Sequence, residues 1–130
     1  MTQIEALNAS LEVVAERCED IVPPVYVAFF QRYPKFEDLF VNDIDHGVRG
    51  HMLNEALGLA EGLLEDDTLT YHFVSSLRMN HEGYGIENNL FEEFYEVIAD
   101  VFQTLAGEAW TPAMSSAWSE VASAAAKAKL

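Results

Sequence analysis

The stretch 90-LFEEFYEVIADVFQTL-105 decides the fold, because it is apolar on two sides of one helix. The two stripes are Leu90, Phe94, Val97 and Val101, and Phe91, Tyr95, Ile98 and Phe102. A helix that is apolar around most of its circumference is packed on both sides. We therefore predict a central helix that ends at Gly107, a residue that terminates helices readily.

The sequence on either side of this stretch is helical as well. Thr111 followed by Pro112 is typical of an N-cap with proline at the first helical position, and predicts a last helix. Upstream, apolar residues at helical spacing predict further helices whose ends lie near Thr2, Pro23, Pro34, Asp45 and Thr68. The helix that follows Thr68 is predicted to bury the stripe Leu69, Phe73, Leu77 and His81. No alternation of apolar and polar residues competes with these patterns, so we predict one all-α domain over residues 1–130.

Composition limits the classes of function. The chain has 130 residues, 22 acidic against 7 basic, and a formal charge of −15, so we expect neither nucleic acid nor anionic lipid as a partner. We interpret the acidic residues as a solvated surface. The alternative is that their negative charge attracts a basic reductase that docks on this surface. No apolar run reaches the roughly 18 residues of a membrane span, and no signal peptide is apparent, so we expect a cytoplasmic protein. The single cysteine, Cys18, excludes an internal disulfide.

Motifs of a self-contained enzyme site are missing from the sequence. Among the four histidines, His46 and His51 are five residues apart and do not share a helical face, as a zinc pair would. There is no Gly-x-Ser-x-Gly turn and no glycine-rich phosphate loop. His81, in contrast, ends an apolar helix face just before Gly83 and Gly85. An imidazole placed there and directed inward can bind an iron centre, so we predict a binding pocket.

Three spaced motifs resemble the globin family. They are Phe29-Phe30-x-x-Tyr33-Pro34-x-x-x-Asp38-Leu39-Phe40, then Leu77-x-x-x-His81-x-x-x-Gly85-Ile86, and finally Thr111-Pro112 with Ala117-Trp118. The set spans most of the chain in the order of a globin, and is similar to bacterial single-domain haemoglobins and the haem domain of flavohaemoglobins. The resemblance implies haem b as cofactor and reversible binding of O₂ or another diatomic gas rather than catalysis. Because the paired-glycine motifs of truncated globins are missing, it implies a three-on-three helical sandwich.

The resemblance also implies roles for individual residues. His81 would be the axial iron ligand, and Phe40 would pack against the porphyrin. Tyr26 matches the distal tyrosine of the bacterial members, whose hydroxyl donates a hydrogen bond to the gas ligand. Further contacts to the porphyrin are expected from Leu53, Leu77, Ile86 and Phe91.

The second distal position stays open between three residues. An ungapped alignment puts Arg49 there, whereas a shift of two would put His51 there and turn Glu55 toward the haem, which is costly for an unpaired carboxylate. His46 is a possible second axial ligand if the distal helix shifts inward. Phe91 stands where flavohaemoglobins carry a tyrosine that polarises the proximal histidine, which argues against peroxidase-like chemistry.

Two other functions remain alternatives at this level. One is oxidation of nitric oxide to nitrate with electrons from a separate reductase, for which the acidic surface is the sequence support. The other is a haem-free sensor or interaction module with a globin fold.

Overall fold

The structure, a computed structural model, describes residues 1–82 and 90–128. Its elements in chain order are α1 (Gln3–Arg17), α2 (Val22–Arg32), a 3₁₀ helix (Pro34–Phe40), α3 (Gly47–Leu64), α4 (Thr68–Glu82), α5 (Leu90–Ala106), a short 3₁₀ turn (Gly107–Ala109) and α6 (Pro112–Lys127). The described ranges contain no β-strand, and the all-α prediction is confirmed. None of the helices within those ranges combines the length and the apolarity needed to cross a membrane.

The helix ends follow the signals in the sequence. The Thr2 hydroxyl accepts a hydrogen bond of 3.1 Å from the Glu5 amide and caps α1. The Thr111 hydroxyl accepts one of 3.3 Å from the Met114 amide at the start of α6. Gly107 follows α5 with φ of +57°, a conformation that favours glycine. These predicted caps and the predicted stop are therefore confirmed.

The central position predicted for α5 is also confirmed. Helix α5 packs against α6, α1 and α2, and Ile98 and Phe102 on its two apolar stripes are completely buried. The Phe102 ring meets the Trp118 ring of α6 edge-on, with 5.5 Å between centroids. The Trp118 indole nitrogen donates a 2.9 Å hydrogen bond to the Ser10 hydroxyl of α1. One buried indole thus ties α1, α5 and α6 together.

The orientation of α4 differs from the prediction. Leu69 and Phe73, predicted to face the core, are 78% and 48% exposed. The buried side chains of this helix are Val74, Ser75 and Arg78. The helix is turned because the Arg78 guanidinium finds hydrogen-bond acceptors inside the protein, which a charge needs when it leaves water. Apolar spacing alone does not reveal such a partner.

Candidate functional site

Two neighbouring apolar cavities lie between the helices that carry the predicted site residues. Their volumes are about 90 Å³ and about 80 Å³. The first is bounded by α2, α5 and the Pro34–Phe40 helix, and the second by α3, α4 and α5. Four side chains line both cavities: Met52, His81, Phe91 and Phe94. Only one of these four, His81, is a good metal ligand.

The His81 imidazole is held by a hydrogen bond within α4. Its Nδ1 atom lies 2.7 Å from the carbonyl oxygen of Leu77, one turn earlier. A carbonyl can only accept, so Nδ1 carries the hydrogen and Nε2 of the neutral ring keeps its lone pair. The ring also meets Phe91 edge-on, with centroids 5.0 Å apart and an interplanar angle of 82°. Metal-binding histidines commonly donate their other ring nitrogen to a carbonyl in this way.

Tyr26 brings a polar atom to the first cavity. Its side chain is only 3% exposed, and its ring is surrounded by four aromatic rings at centroid distances of 5.6–6.1 Å: Phe29, Phe30, Phe40 and Phe94. Its buried hydroxyl has no hydrogen-bond partner among the described residues. Leaving such a group unpaired costs about 1–3 kcal/mol. Burial raises the pKa of Tyr26, so the phenol keeps its proton and remains a donor.

Arg49 lies behind Phe40 and lines neither cavity. Its guanidinium is 5.4 Å from the centroid of the Phe40 ring and 5.7 Å from that of Phe30. Its Nη2 donates a long hydrogen bond, 3.5 Å, to the Phe40 carbonyl. The Phe40 ring therefore lies between Arg49 and the cavity. The positive charge of Arg49 is close enough to Tyr26 to lower the Tyr26 pKa, which opposes part of the rise that burial causes.

Asp43 caps the start of α3 and lies close to the Arg49 side chain. Its two carboxylate oxygens accept hydrogen bonds of 2.9 Å and 3.0 Å from the backbone amides of Val48 and Arg49. One of them also lies 4.0 Å from Nε of Arg49. Burial acts to raise the pKa of Asp43, but the two amides and the Arg49 charge outweigh it, so this pKa lies below its ordinary value. The Asp43 carboxylate thus caps the second and third amides of α3.

The other two distal candidates lie at the surface. His46 is exposed and adopts a left-handed backbone conformation with φ of 61° just before α3. The His51 side chain is 80% exposed and lies 3.5 Å from the Glu55 carboxylate on the same helix. Neither histidine lines either cavity.

The remaining predicted contacts divide into three groups. Leu77 lines the second cavity and Phe91 lines both. Leu53 is completely buried but lines neither cavity. Ile86 lies outside the described residues.

Sequence reasoning missed Met52 and Phe94, which line both cavities. Met52 precedes the predicted Leu53, and adjacent residues project about 100° apart around a helix. Phe94 lies one turn after Phe91 on the other apolar stripe of α5. The sequence did contain a signal for Phe94, because both apolar stripes of α5 were identified and α5 was predicted to pack on both sides. Phe94 lies next to Phe91 on that helix and could have been predicted to line the pocket with it.

Comparison with protein families decides the assignment: the globin family model matches residues 24–128. The chain belongs to the globin family. The matched range begins in α2 and includes every residue that lines the two cavities of this globin. The predicted all-α globin fold is thereby confirmed. No curated protein and no solved structure was found to match the chain.

Globins typically bind haem, and the chemistry of the site fits that group. A neutral imidazole nitrogen is one of the groups that bind haem iron in proteins, and Nε2 of His81 would be available for this. A polar gas ligand is stabilised by a hydrogen-bond donor in an apolar surrounding, and the Tyr26 hydroxyl, which has no partner among the described residues, could act as such a donor. The apolar walls suit a porphyrin ring.

Proposed function

We propose that this globin binds haem b through His81 and reversibly binds O₂ or another diatomic gas. The observation that supports this most directly is the 2.7 Å hydrogen bond from His81 Nδ1 to the Leu77 carbonyl, on a ring that lines both apolar cavities. It selects the tautomer in which Nε2 is free to bind a metal.

Haem, when bound, would supply an iron that His81 would hold and that would bind the gas. Leu77 orients the imidazole from one side through its carbonyl, and the Phe91 ring does so from another. In this proposal Leu77 and Phe91 also supply apolar surface for the porphyrin, together with Phe40. The sequence also suggests Leu53, which lines neither cavity, and Ile86, which lies outside the described residues. Apolar walls exclude water and so protect the ferrous state from oxidation.

Tyr26 is the proposed donor to the gas. Its hydroxyl is buried among aromatic rings, and its raised pKa keeps it protonated at physiological pH. A ligand with partial negative charge, such as O₂, gains more from this donor than carbon monoxide does. Arg49 contributes indirectly, since its guanidinium lies against Phe40 and its charge lies near the phenol.

Haem insertion requires the two cavities to open into one. Each is smaller than the roughly 300 Å³ at which small-molecule pockets begin. The side chains between them are the flexible Met52 and the rings of Phe91 and Phe94. Met52 has three rotatable bonds and adapts its shape readily. We therefore expect the shared wall to part while His81 stays anchored to Leu77.

Absorption spectra of the purified protein test the proposal. The protein is titrated with haemin, and spectra are recorded in the ferric form, after reduction and after exposure to O₂. We expect one haem per chain and a reversible change on cycling between O₂ and argon. Protein that stays colourless after haemin addition would contradict the proposal and favour the haem-free module. Repeated consumption of nitric oxide with NADH and an added reductase would identify the enzymatic alternative.

A further inference from the structure

Arg78 is a charged side chain inside the protein. It lies on α4 three residues before His81 and is only 3% exposed. Its Nη2 donates a 2.7 Å hydrogen bond to the Glu92 carboxylate and a 2.6 Å hydrogen bond to the Ala125 carbonyl. A guanidinium is costly to bury unless it is paired in this way. The burial of Arg78 therefore depends on acceptors inside the protein, and these two are among them.

The two acceptors belong to different helices. Glu92 is in the first turn of α5, and Ala125 is in the last turn of α6. The carbonyls of a last turn lack helical partners and form the negative end of the helix dipole, so a cation is favoured there. Arg78 thereby joins α4, the helix that carries His81, to both α5 and α6.

The same guanidinium also lies over an aromatic ring of the site. Its central carbon is 5.2 Å from the centroid of the Phe91 ring. Phe91 in turn meets the His81 imidazole edge-on at 5.0 Å. The Arg78 guanidinium, the Phe91 ring and the His81 imidazole thus lie next to one another in that order, and the Phe91 ring lines both cavities.

We propose that Arg78 is a positioning residue for the His81 imidazole. It holds α4 against α5 and α6, and it holds the Phe91 ring against the imidazole, so that it sets the angle at which His81 meets the iron. The inference rests on the proposed function, since it concerns the ligand of the haem. Removal of an outer partner of a metal ligand typically weakens the metal site 10–100-fold.

The variants R78M and R78K test this proposal in the whole protein. Methionine removes the charge, the hydrogen bonds and the guanidinium that lies over the Phe91 ring, whereas lysine keeps the charge but lacks the planar fork. We expect R78M to shift or broaden the iron–histidine stretching band in the resonance Raman spectrum of the ferrous protein. We expect its haem loss to a scavenging apoglobin to accelerate roughly 10–100-fold, and that of R78K to accelerate less.

The matched control is R32M. Arg32 also pairs with a carboxylate of α5, Asp100, at 2.8 Å, but the two side chains are 42% and 63% exposed. An exposed ion pair contributes little, and this one lies away from Phe91 and His81. R32M should keep the wild-type band and the wild-type rate of haem loss.

A second measurement uses the haem-free protein. Because the Phe91 ring lies edge-on to the imidazole, its ring current shifts the His81 proton signals in the NMR spectrum. R78M should move these signals toward those of an unstructured histidine, whereas R32M should not.

The outcomes separate the two proposals. If wild-type protein binds no haem, the proposed function fails, and the NMR signals still decide whether Arg78 orients His81. Wild-type Raman bands and NMR signals in both Arg78 variants would overturn the inference, even with lowered thermal stability, because Arg78 would then only support the fold. If R78M does not fold, R78K gives the decision by the same measurements.

Discussion

The Nδ1 atom of His81 lies 2.7 Å from the carbonyl oxygen of Leu77, one helical turn earlier in α4. A carbonyl oxygen has two lone pairs, so it can accept from the imidazole in addition to the backbone amide of the helix. The geometry of the helix thus selects the tautomer of its own last histidine. The nitrogen left for a metal is Nε2.

Replacement of His81 by glycine should abolish stable haem binding, because no other described residue of the two cavities offers an imidazole. Added free imidazole should restore binding, since it can occupy the space left by the side chain. Haemin titration followed in the Soret region measures both effects. H72A, on an exposed position of the same helix, is the control and should bind haem normally. An iron–histidine signature in H81G without added imidazole would refute the ligand assignment.

The Tyr26 hydroxyl should matter for the gas and hardly at all for stability. A hydrogen bond to a strongly polar acceptor contributes about 1.5–3 kcal/mol, so Y26F should accelerate O₂ dissociation roughly 10–100-fold. Stopped-flow displacement of O₂ by carbon monoxide measures this rate. Because the hydroxyl has no partner within residues 1–82 and 90–128, Y26F should leave the unfolding midpoint of the haem-free protein unchanged or raised.

Tyr95 provides the matched control for that experiment. Its buried hydroxyl donates a 2.7 Å hydrogen bond to the Ala56 carbonyl. Y95F should therefore destabilise the haem-free protein by about 1 kcal/mol and change the O₂ dissociation rate much less than Y26F does. The opposite pattern would remove Tyr26 from the distal role.

Arg49 should affect O₂ weakly, because it lines neither cavity and contacts the site through Phe40. R49M should change the O₂ dissociation rate by no more than about threefold. It should cost about 1 kcal/mol of stability through loss of the contacts with the Phe30 and Phe40 rings. A tenfold or greater acceleration would instead mean that Arg49 donates to the gas itself, as the ungapped alignment predicts.

Asp43 should make stability depend on pH. Its pKa in the folded protein lies below the ordinary value of about 3.9, so its contribution is complete above that value and is lost as pH falls through the folded-state pKa. D43N should therefore unfold at lower urea than wild type at pH 7, and the difference should shrink on acidification toward pH 3. D45N, which alters an exposed carboxylate nearby, should show a smaller difference at pH 7. A difference that grows on acidification would contradict this account of Asp43.

The hydrogen bond of the buried Trp118 indole, which joins three helices, depends on the Ser10 hydroxyl. Ser10 accepts the hydrogen bond of Trp118 and itself donates one of 2.6 Å to the Leu7 carbonyl. S10A leaves the indole N–H unpaired in the core, which should cost about 1–3 kcal/mol in the free energy of unfolding. T104A removes an exposed hydroxyl of α5 and should stay within about 0.5 kcal/mol of wild type. Equal effects of the two substitutions would contradict the special role of Ser10.

Much of the fold follows from local patterns. The caps at Thr2 and Thr111, the stop at Gly107 and the two apolar stripes of α5 were predictable because each depends on residues within one or two turns. The rotation of α4 was not predictable, because it depends on acceptors that Arg78 finds on α5 and α6, 14 and 47 residues away in the chain.

The candidate site divides in the same way. His81 was identified from its place at the end of a helix and from the resemblance to globins, and Tyr26 from that resemblance; each lines a cavity in the structure. Their binding roles remain predictions. Met52 lines the cavities and Leu53 does not, because of how α3 is rotated about its axis. The pattern of apolar residues could not predict this rotation to within one residue.

The amino-acid sequence by itself determined that this chain is helical, where its capped helices begin, and that α5 ends just before Gly107. Hydrophobic spacing and caps suffice for this because they act between near neighbours in the chain. Only the tertiary structure decided that Arg49 lies behind Phe40, that the buried Tyr26 hydroxyl has no partner among the residues that the structure describes, and that Arg78 lies inside against Phe91. These outcomes depend on long polar side chains, whose positions are set by the partners that folding brings to them.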